Sequence, residues 1–353
     1  MTFGPDHYVP VLKVKGGEKR ALQRISPILQ SRMTPLLEIV ERKPPKTRSG
    51  HLDTAFTDLA ETIRPYSRCF LDTREIAVEG QAGAADVFQR ASDAGIVFTP
   101  VTGISRTADV GPALAHREYG LALRLTRTEF EQGDLSTRVN VFLTEHNLTP
   151  EQLDLIIDLG AVEDFIVEGI EALTGAFMAE VPDHSRWHTF TISACAFPKS
   201  MRGVDRNSHA LAERGDWLAW KRHLYDEKNN IPRLPTFSDC VIQHPAGVEG
   251  FDPRIMPVSA AIRYTLENEW LLIKGESTKA IRAGEQFPAL AHELVYGNFR
   301  SSFCGSDHCN GCHAMKAAAD GAPSLGSAGV WRQLGTTHHL SVVTQALASL
   351  PWP

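Results

Sequence analysis

Short apolar runs alternate along this chain with stretches whose apolar residues recur every three or four positions. The runs at 8–15, 35–41, 69–72, 96–101, 121–125, 153–159, 188–193 and 237–242 read as strands, rich in Val, Ile, Leu and Phe. Between them, Leu22, Ile25 and Leu29 mark one helix face within 17–31, and Leu52, Phe56, Leu59 and Ile63 mark another within 52–63. Further helices are predicted at 83–94, 109–118, 135–146 and 162–177. Repeated strand–helix alternation implies parallel strands with the helices outside. Asp154-Leu-Ile-Ile-Asp158 is almost continuously apolar, which suits a strand covered on both faces. Eight such units favour an α/β fold of the (β/α)8 TIM-like barrel type over an open doubly wound sheet. No Gly-x-Gly-x-x-Gly follows a strand, which lowers the dinucleotide-binding alternative.

Two regions depart from the alternation. Residues 199–235 form an insert before the eighth strand, with Asp216-Trp-Leu-Ala-Trp220 as a helix packing two tryptophans. After that strand, 260–265 and 269–274 look extended, with Glu267-Asn268 as the turn of a hairpin. Leu340, Val342, Val343, Leu347 and Leu350 predict a closing amphipathic helix. The expected organisation is a barrel over 1–298, including the insert, and a C-terminal Cys/His extension over 299–353 packed on it.

Charge and composition narrow the partners. The net charge of −6 over 353 residues provides no global basic field for nucleic acid, although a local basic face stays open. No run of about 18 apolar residues exists, and the first ten residues lack a cationic start and apolar core, so the expectation is a cytoplasmic protein with no membrane association. Cys69, Cys195 and Cys240, isolated in apolar runs, read as reduced buried thiols.

In such a barrel the C-terminal strand ends converge on one mouth, where sites are built. The polar residues there are Lys13 and Lys15, Glu38 and Glu41, Asp72 and Arg74, Thr102, Arg124, Asp158, Ser193 and Asp239. Arg263 and Lys274 follow. Each alone is equally at home as a solvated strand end; together they alternate acids and bases around one rim. Cations there can hold a phosphate by charge-assisted hydrogen bonds. Carboxylates there can move protons or hold a hard divalent ion such as Mg or Mn. Which of Lys13 and Lys15 enters the site stays open.

Cys304-Gly-Ser-Asp-His-Cys309-Asn-Gly-Cys312-His313 carries a different chemistry. Its C-x4-C-x2-C spacing supplies three soft ligands, with His313, His308 or a distant residue as the fourth of a structural zinc site. Iron–sulfur ligation and unmetallated thiols are the alternatives. His338-His339 is the other distinctive pair; adjacent residues of a helix diverge by about 100°, so one histidine at most enters a given site. A single histidine there would suit acid–base work near neutral pH.

Several of these segments resemble the beta-protein family of T-even phages and many bacteria. They are Tyr8-Val-Pro-Val-Leu-Lys13-Val-Lys-Gly-Gly-Glu18, Thr34-Pro-Leu-Leu-Glu38, Ile262-Arg263-Tyr264-Thr265 with Trp270 and Lys274-Gly275, the cysteine knuckle, and Trp331-Arg332 followed by Gly335-x-x-His338-His339. The resemblance spans nearly the whole chain. It implies a phage-related or anti-phage-defence setting and no particular reaction, and it draws interest to Lys13, Glu38, Arg263, Tyr264, His338 and His339.

Three functions compete, and whether the chain is an enzyme stays open. In the first, the mouth binds a phosphate-bearing small molecule such as a nucleotide, or a nucleic-acid end, with metal-dependent hydrolysis. Lys13, Lys15, Arg124, Asp239, Arg263, Tyr264 and Lys274 would bind it, and Glu38, Asp72, Asp158, His338 and His339 would do the chemistry. The second is a non-catalytic sensor that recognises a phage component or a protein partner from phage or host defence operon. The third, a nucleic-acid-binding knuckle, is weakened by Asp307 and the lack of a basic run around the cysteines.

Overall fold

The structure is a computed structural model, and it describes residues 3–227, 231–247, 259–323 and 326–351. Eight parallel strands form one sheet: β1 (Val11–Lys13), β2 (Leu36–Glu38), β3 (Cys69–Asp72), β4 (Phe98–Thr102), β5 (Leu121–Thr126), β6 (Leu153–Ala161), β7 (Thr189–Cys195) and, after the insert strand β8 (Ser208–Glu213), β9 (Thr236–Asp239). Tyr8 bridges in parallel to both Met33 and Phe237, and Val9 N–H donates to the Phe237 carbonyl at 3.2 Å. These contacts bring the first strand against the last, so the sheet is a nearly closed (β/α)8 barrel with its helices outside.

Period-two alternation sorts each strand into an outer and an inner face. Outward residues such as Leu12, Leu37, Leu71, Leu123 and Ile157 join the main core beneath the helices. Inward residues Val9, Val11, Leu36, Phe70, Val101, Ala122 and Ile156 form a separate apolar plug inside the barrel. One pleat below the plug, Arg68 grips Asp154 through both terminal nitrogens at 2.6 and 2.8 Å. One pleat above it stand Lys13, Glu38, Asp72, Arg124 and Asp158. The strand's end separates the two N-terminal lysines, which share one parity: β1 ends at Lys13, which is buried, whereas Lys15 lies beyond the strand and is exposed.

The insert does more than lengthen a loop. Its β8 pairs antiparallel with β11 (Glu269–Ser277), which pairs with β10 (Ser259–Thr265), giving a separate three-stranded sheet. The predicted hairpin is thus present, with a third strand that the sequence did not announce. Every second residue of β8 is exposed, so only one of its faces is covered, and its run Ser-His-Ala-Leu-Ala-Glu carries little apolar signal. In the helix that follows (Gly215–Ala219), Trp217 stacks on Trp220 with ring centres 5.7 Å apart, and Trp217 meets Phe237 edge-on.

The small sheet shares a second core with the helices Ala283–Val295, Asn310–Ala319 and Ala328–Ser349. Ile262, Tyr264, Leu271, Phe287, Met315 and Trp331 are among its members. The second core thus draws on 259–277, from before residue 298, as well as on the C-terminal helices, and its sheet includes 208–213 from inside the insert. The last helix ties the two units together. Trp331 and Leu334 belong to the second core, while Leu340, Val343 and Leu347 enter the main one. Close approach is made possible by Gly335, where a Cβ would stand 2.7 Å from the Arg263 carbonyl oxygen and 2.9 Å from Ile242. Among the described residues, no helix is long and apolar enough to cross a membrane.

Candidate functional site

The charged layer above the apolar plug is centred on Arg124, from β5. Its guanidinium donates to Glu38 of β2 at 2.8 Å, to Asp72 of β3 at 2.7 Å, and to Asp158 of β6 at 3.0 and 2.8 Å. Further cations neutralise the same carboxylates from outside: Arg106 contacts Asp72 at 2.6 Å, Arg74 contacts Asp158 at 3.2 Å, and Lys13 lies 3.6 Å from Glu38 while also pairing with Glu75. Burial pushes the Asp72 carboxyl up, and the neighbouring Arg106 and Arg124 more than reverse this, leaving it well below the usual carboxylate range. Burial alone would lower Arg124; its three acids hold it well above the ordinary arginine value.

Glu38, Asp72 and Asp158 converge, and the group at their centre is a guanidinium. Among the described residues, the groups whose donor atoms gather closely enough to hold a metal ion contain only cysteines and histidines. Arg124 in turn has its donors committed to carboxylates, so it is a clamp inside the barrel and not a free anion ligand.

Cations without such partners lie just outside. Lys15, Lys43 and Arg332 are exposed and make no ion pair with any described residue. Burial lowers the Lys15 ammonium and Glu18 opposes this; Lys13, Arg332 and Lys43 add to the lowering, which marks these cations as neighbours. A narrow cleft opens beside them, between β1, β2, the segment after β9 and the final helix, with Lys13, Glu18, Glu38, Gln243, His244 and Arg332 on its walls.

Four of the residues expected to bind a ligand at the mouth stand elsewhere. Lys274 donates to the carbonyls of Met201 at 2.9 Å and Val204 at 2.5 Å, anchoring the insert. Asp239 is fully buried, accepting from the Tyr8 hydroxyl at 2.5 Å and facing His339 Nε2 at 2.9 Å. Arg263 packs its guanidinium 5.7 Å from the Phe197 ring centre, and its Nε is shielded with no hydrogen-bond partner. Burial, then repulsion from Arg332, brings Arg263 down to about 9. Tyr264 stacks on His338 with ring centres 3.9 Å apart, and its hydroxyl accepts the Cys304 N–H at 2.9 Å, which places it with the cysteines.

The cysteine knuckle forms a second constellation. Cys309, Cys312 and His338 make one close group of donors, and Cys304, His308 and His338 make another. These groups can hold a metal ion: thiols and imidazoles are the donors that borderline-soft ions prefer. Of the candidates for a fourth ligand, His313 is exposed on the helix Asn310–Ala319 and belongs to neither group, His308 belongs to one, and His338, a distant residue 26 positions beyond Cys312, belongs to both. The expectation that at most one of His338 and His339 enters a given site matches their geometry, since His338 faces the thiols and His339 faces Asp239. Neither reaches the charged barrel mouth, where a catalytic role was expected of them.

Arg106, Asp109 and Glu75 were not legible in the sequence, because they lie beyond the strands, in the turn after β4 and the short helix after β3, where no strand parity marks them. Nor was Thr265 legible as a shared partner of both histidines.

Fold and sites together define the class: a parallel β/α barrel with an appended Cys/His unit built around a three-stranded sheet. The chain belongs to the Beta protein family, whose sequence profile matches residues 8–345. A search of curated proteins found no match to it.

Proposed function

We propose that the barrel mouth is a recognition site for a phosphate-bearing ligand, a nucleotide or a nucleic-acid end, and that the chain acts as a sensor or binding module in a phage-related or anti-phage-defence setting. The observation that carries this reading is the unpartnered cation set Lys15, Lys43 and Arg332, standing over a layer whose carboxylates are already neutralised. An arriving phosphate would find ammonium and guanidinium donors free to take it, with Arg332 able to bind it through two nitrogens. Metal-dependent hydrolysis is the weaker alternative, because Glu38, Asp72 and Asp158 would have to leave Arg124 before holding Mg or Mn. For the Cys/His groups we propose zinc in a structural role, given their sulfur and imidazole donors.

Calorimetric titration with a nucleoside triphosphate and with a 5′-phosphorylated single-stranded oligonucleotide tests this. Binding should weaken with salt and fall by about tenfold or more, about 1.4 kcal/mol, in the Lys15→Glu, Arg332→Glu double variant. Unchanged affinity in that variant would refute the assignment. Turnover with Mg²⁺ or Mn²⁺ would make the protein an enzyme and overturn the sensor reading.

A further inference from the structure

We propose that the chain binds one zinc ion in a closed four-coordinate site formed by Cys304, Cys309, Cys312 and His338, and that His308 stands beside the ion without ligating it. The proposal rests on the reading of the ion as zinc given above. It goes further by fixing which four of five available donors are used.

The five donors are assembled by separate local devices. Cys309 caps the helix Asn310–Ala319, and its sulfur accepts the Cys312 N–H at 3.3 Å, which sets both thiols on one side of the helix start. Gly305, at φ +92°, turns the loop that carries Cys304. Gly311 lets this helix press on the last one, since a Cβ there would lie 2.5 Å from the Leu334 carbonyl oxygen. That contact delivers His338 to the thiols, with its Nδ1 3.2 Å from Cys312 Sγ and 3.8 Å from Cys309 Sγ.

The two histidines differ in what lies behind them. His338 Nε2 is 2.9 Å from the Thr265 carbonyl oxygen, an atom that can only accept. Nε2 therefore carries the proton, and the Nδ1 lone pair points at the sulfurs. Tyr264 stacking at 14° holds the ring in that plane. A ring nitrogen donating to a backbone carbonyl is the usual support of a metal-bound imidazole. His308 lacks it: neither of its ring nitrogens has a hydrogen-bond partner among the described residues, and its Nε2 is shielded from solvent. Without that support its ring is held less firmly than that of His338, although one of its nitrogens lies among the donors. With three thiolates around the ion, an Nε2–H donated toward sulfur would satisfy the orphaned atom and offset the excess negative charge. Cys304 is the exposed member of the set.

X-ray absorption at the zinc edge on the purified full-length protein tests the ligand set without any substitution. The expected result is about one zinc per chain with a sulfur-to-nitrogen ratio of about 3:1. His308→Ala should retain both the zinc and that ratio, whereas His338→Ala and Cys304→Ser should lose most of the metal. A ratio near 2:2, with zinc lost on His308→Ala, would overturn this ligand set while leaving the zinc reading intact. Wild-type protein that takes up no zinc would overturn both, and neither outcome bears on anion binding at the mouth.

Discussion

His339 Nε2 lies 2.9 Å from Asp239 Oδ2, joining the final helix to the last barrel strand where both residues are fully buried. The other ring nitrogen, Nδ1, faces the Thr265 hydroxyl at 2.9 Å and the Trp270 indole N–H at 3.4 Å. An indole can only donate, so Nδ1 accepts and Nε2–H donates to the carboxylate. Burial keeps the imidazole below its ordinary value, consistent with a neutral ring. Replacing His339 by Phe would leave Asp239, among the described residues, with hydrogen bonds from the Tyr8 hydroxyl and the Val241 N–H. A loss of about 3–5 kcal/mol is expected in urea denaturation, as for other broken buried pairs. His339→Gln, which can still donate, should recover part of it. Equal midpoints for wild type and His339→Phe would show that the link carries no stability.

Arg124 is expected to be the most sensitive position of the barrel interior. Its removal would leave Glu38, Asp72 and Asp158 facing one another in a buried layer. Arg124→Leu should cost about 3–5 kcal/mol or more and yield little soluble protein. Arg124→Lys should also be clearly destabilised, because one ammonium cannot reproduce a planar fork shared by three acids. A midpoint within about 1 kcal/mol of wild type for Arg124→Lys would contradict the clamp.

Local pattern carried the barrel and the hairpin, since each strand and helix shows its own period. It carried the candidate mouth only as a set of positions: parity along the strands places Lys13, Glu38, Asp72, Arg124 and Asp158 in one layer, but says nothing about which charges neutralise which. Those pairings depend on neighbours 34 to 86 residues apart, as in Arg124 with Asp158 and with Glu38. The same holds for the Cys/His groups. The thiols are local and legible, whereas His338 arrives from a helix whose docking depends on Gly311 and Gly335. A strand such as β8, covered on one face and built from Ser, His, Ala and Glu, gains its identity from pairing with β11.

The N-terminal His7 should make stability fall on mild acidification. Burial, then Arg68 and Arg32, lower its imidazole to about 3, against an ordinary value of 6.5. The folded state thus binds fewer protons than the unfolded chain between these values. Its contribution is complete above about pH 6.5 and declines as the pH falls toward about 3, by at most about 1.4 kcal/mol per unit and less given partial exposure. Asp216 acts with the opposite sign, because burial and then Asp239 raise it to about 7. The comparison should therefore be between wild type and His7→Gln in urea at pH 7, 6 and 5. The gap between the two is expected to narrow as pH falls; a constant gap would mean that His7 titrates alike in both states.

Removal of the proposed zinc should act first on the C-terminal unit. Cys312 and Met315 share the second core with Trp331 and Leu334, and His338 continues the same helix. Binding to the folded state alone stabilises by roughly 4 kcal/mol at a thousandfold excess of ion over Kd, so chelation should lower the melting temperature. Amide exchange should rise over 304–319 and 331–338 while β3 to β6, which lie far along the sheet from these contacts, keep their protection. Cys309→Ser should reproduce this pattern and the loss of metal together. If chelation left exchange in 304–319 unchanged, the thiols would be bystanders. If protection in β3 to β6 collapsed at the same time, the two cores would be one cooperative unit, with the final helix, shared through Leu340, Val343 and Leu347, transmitting the loss directly into the barrel.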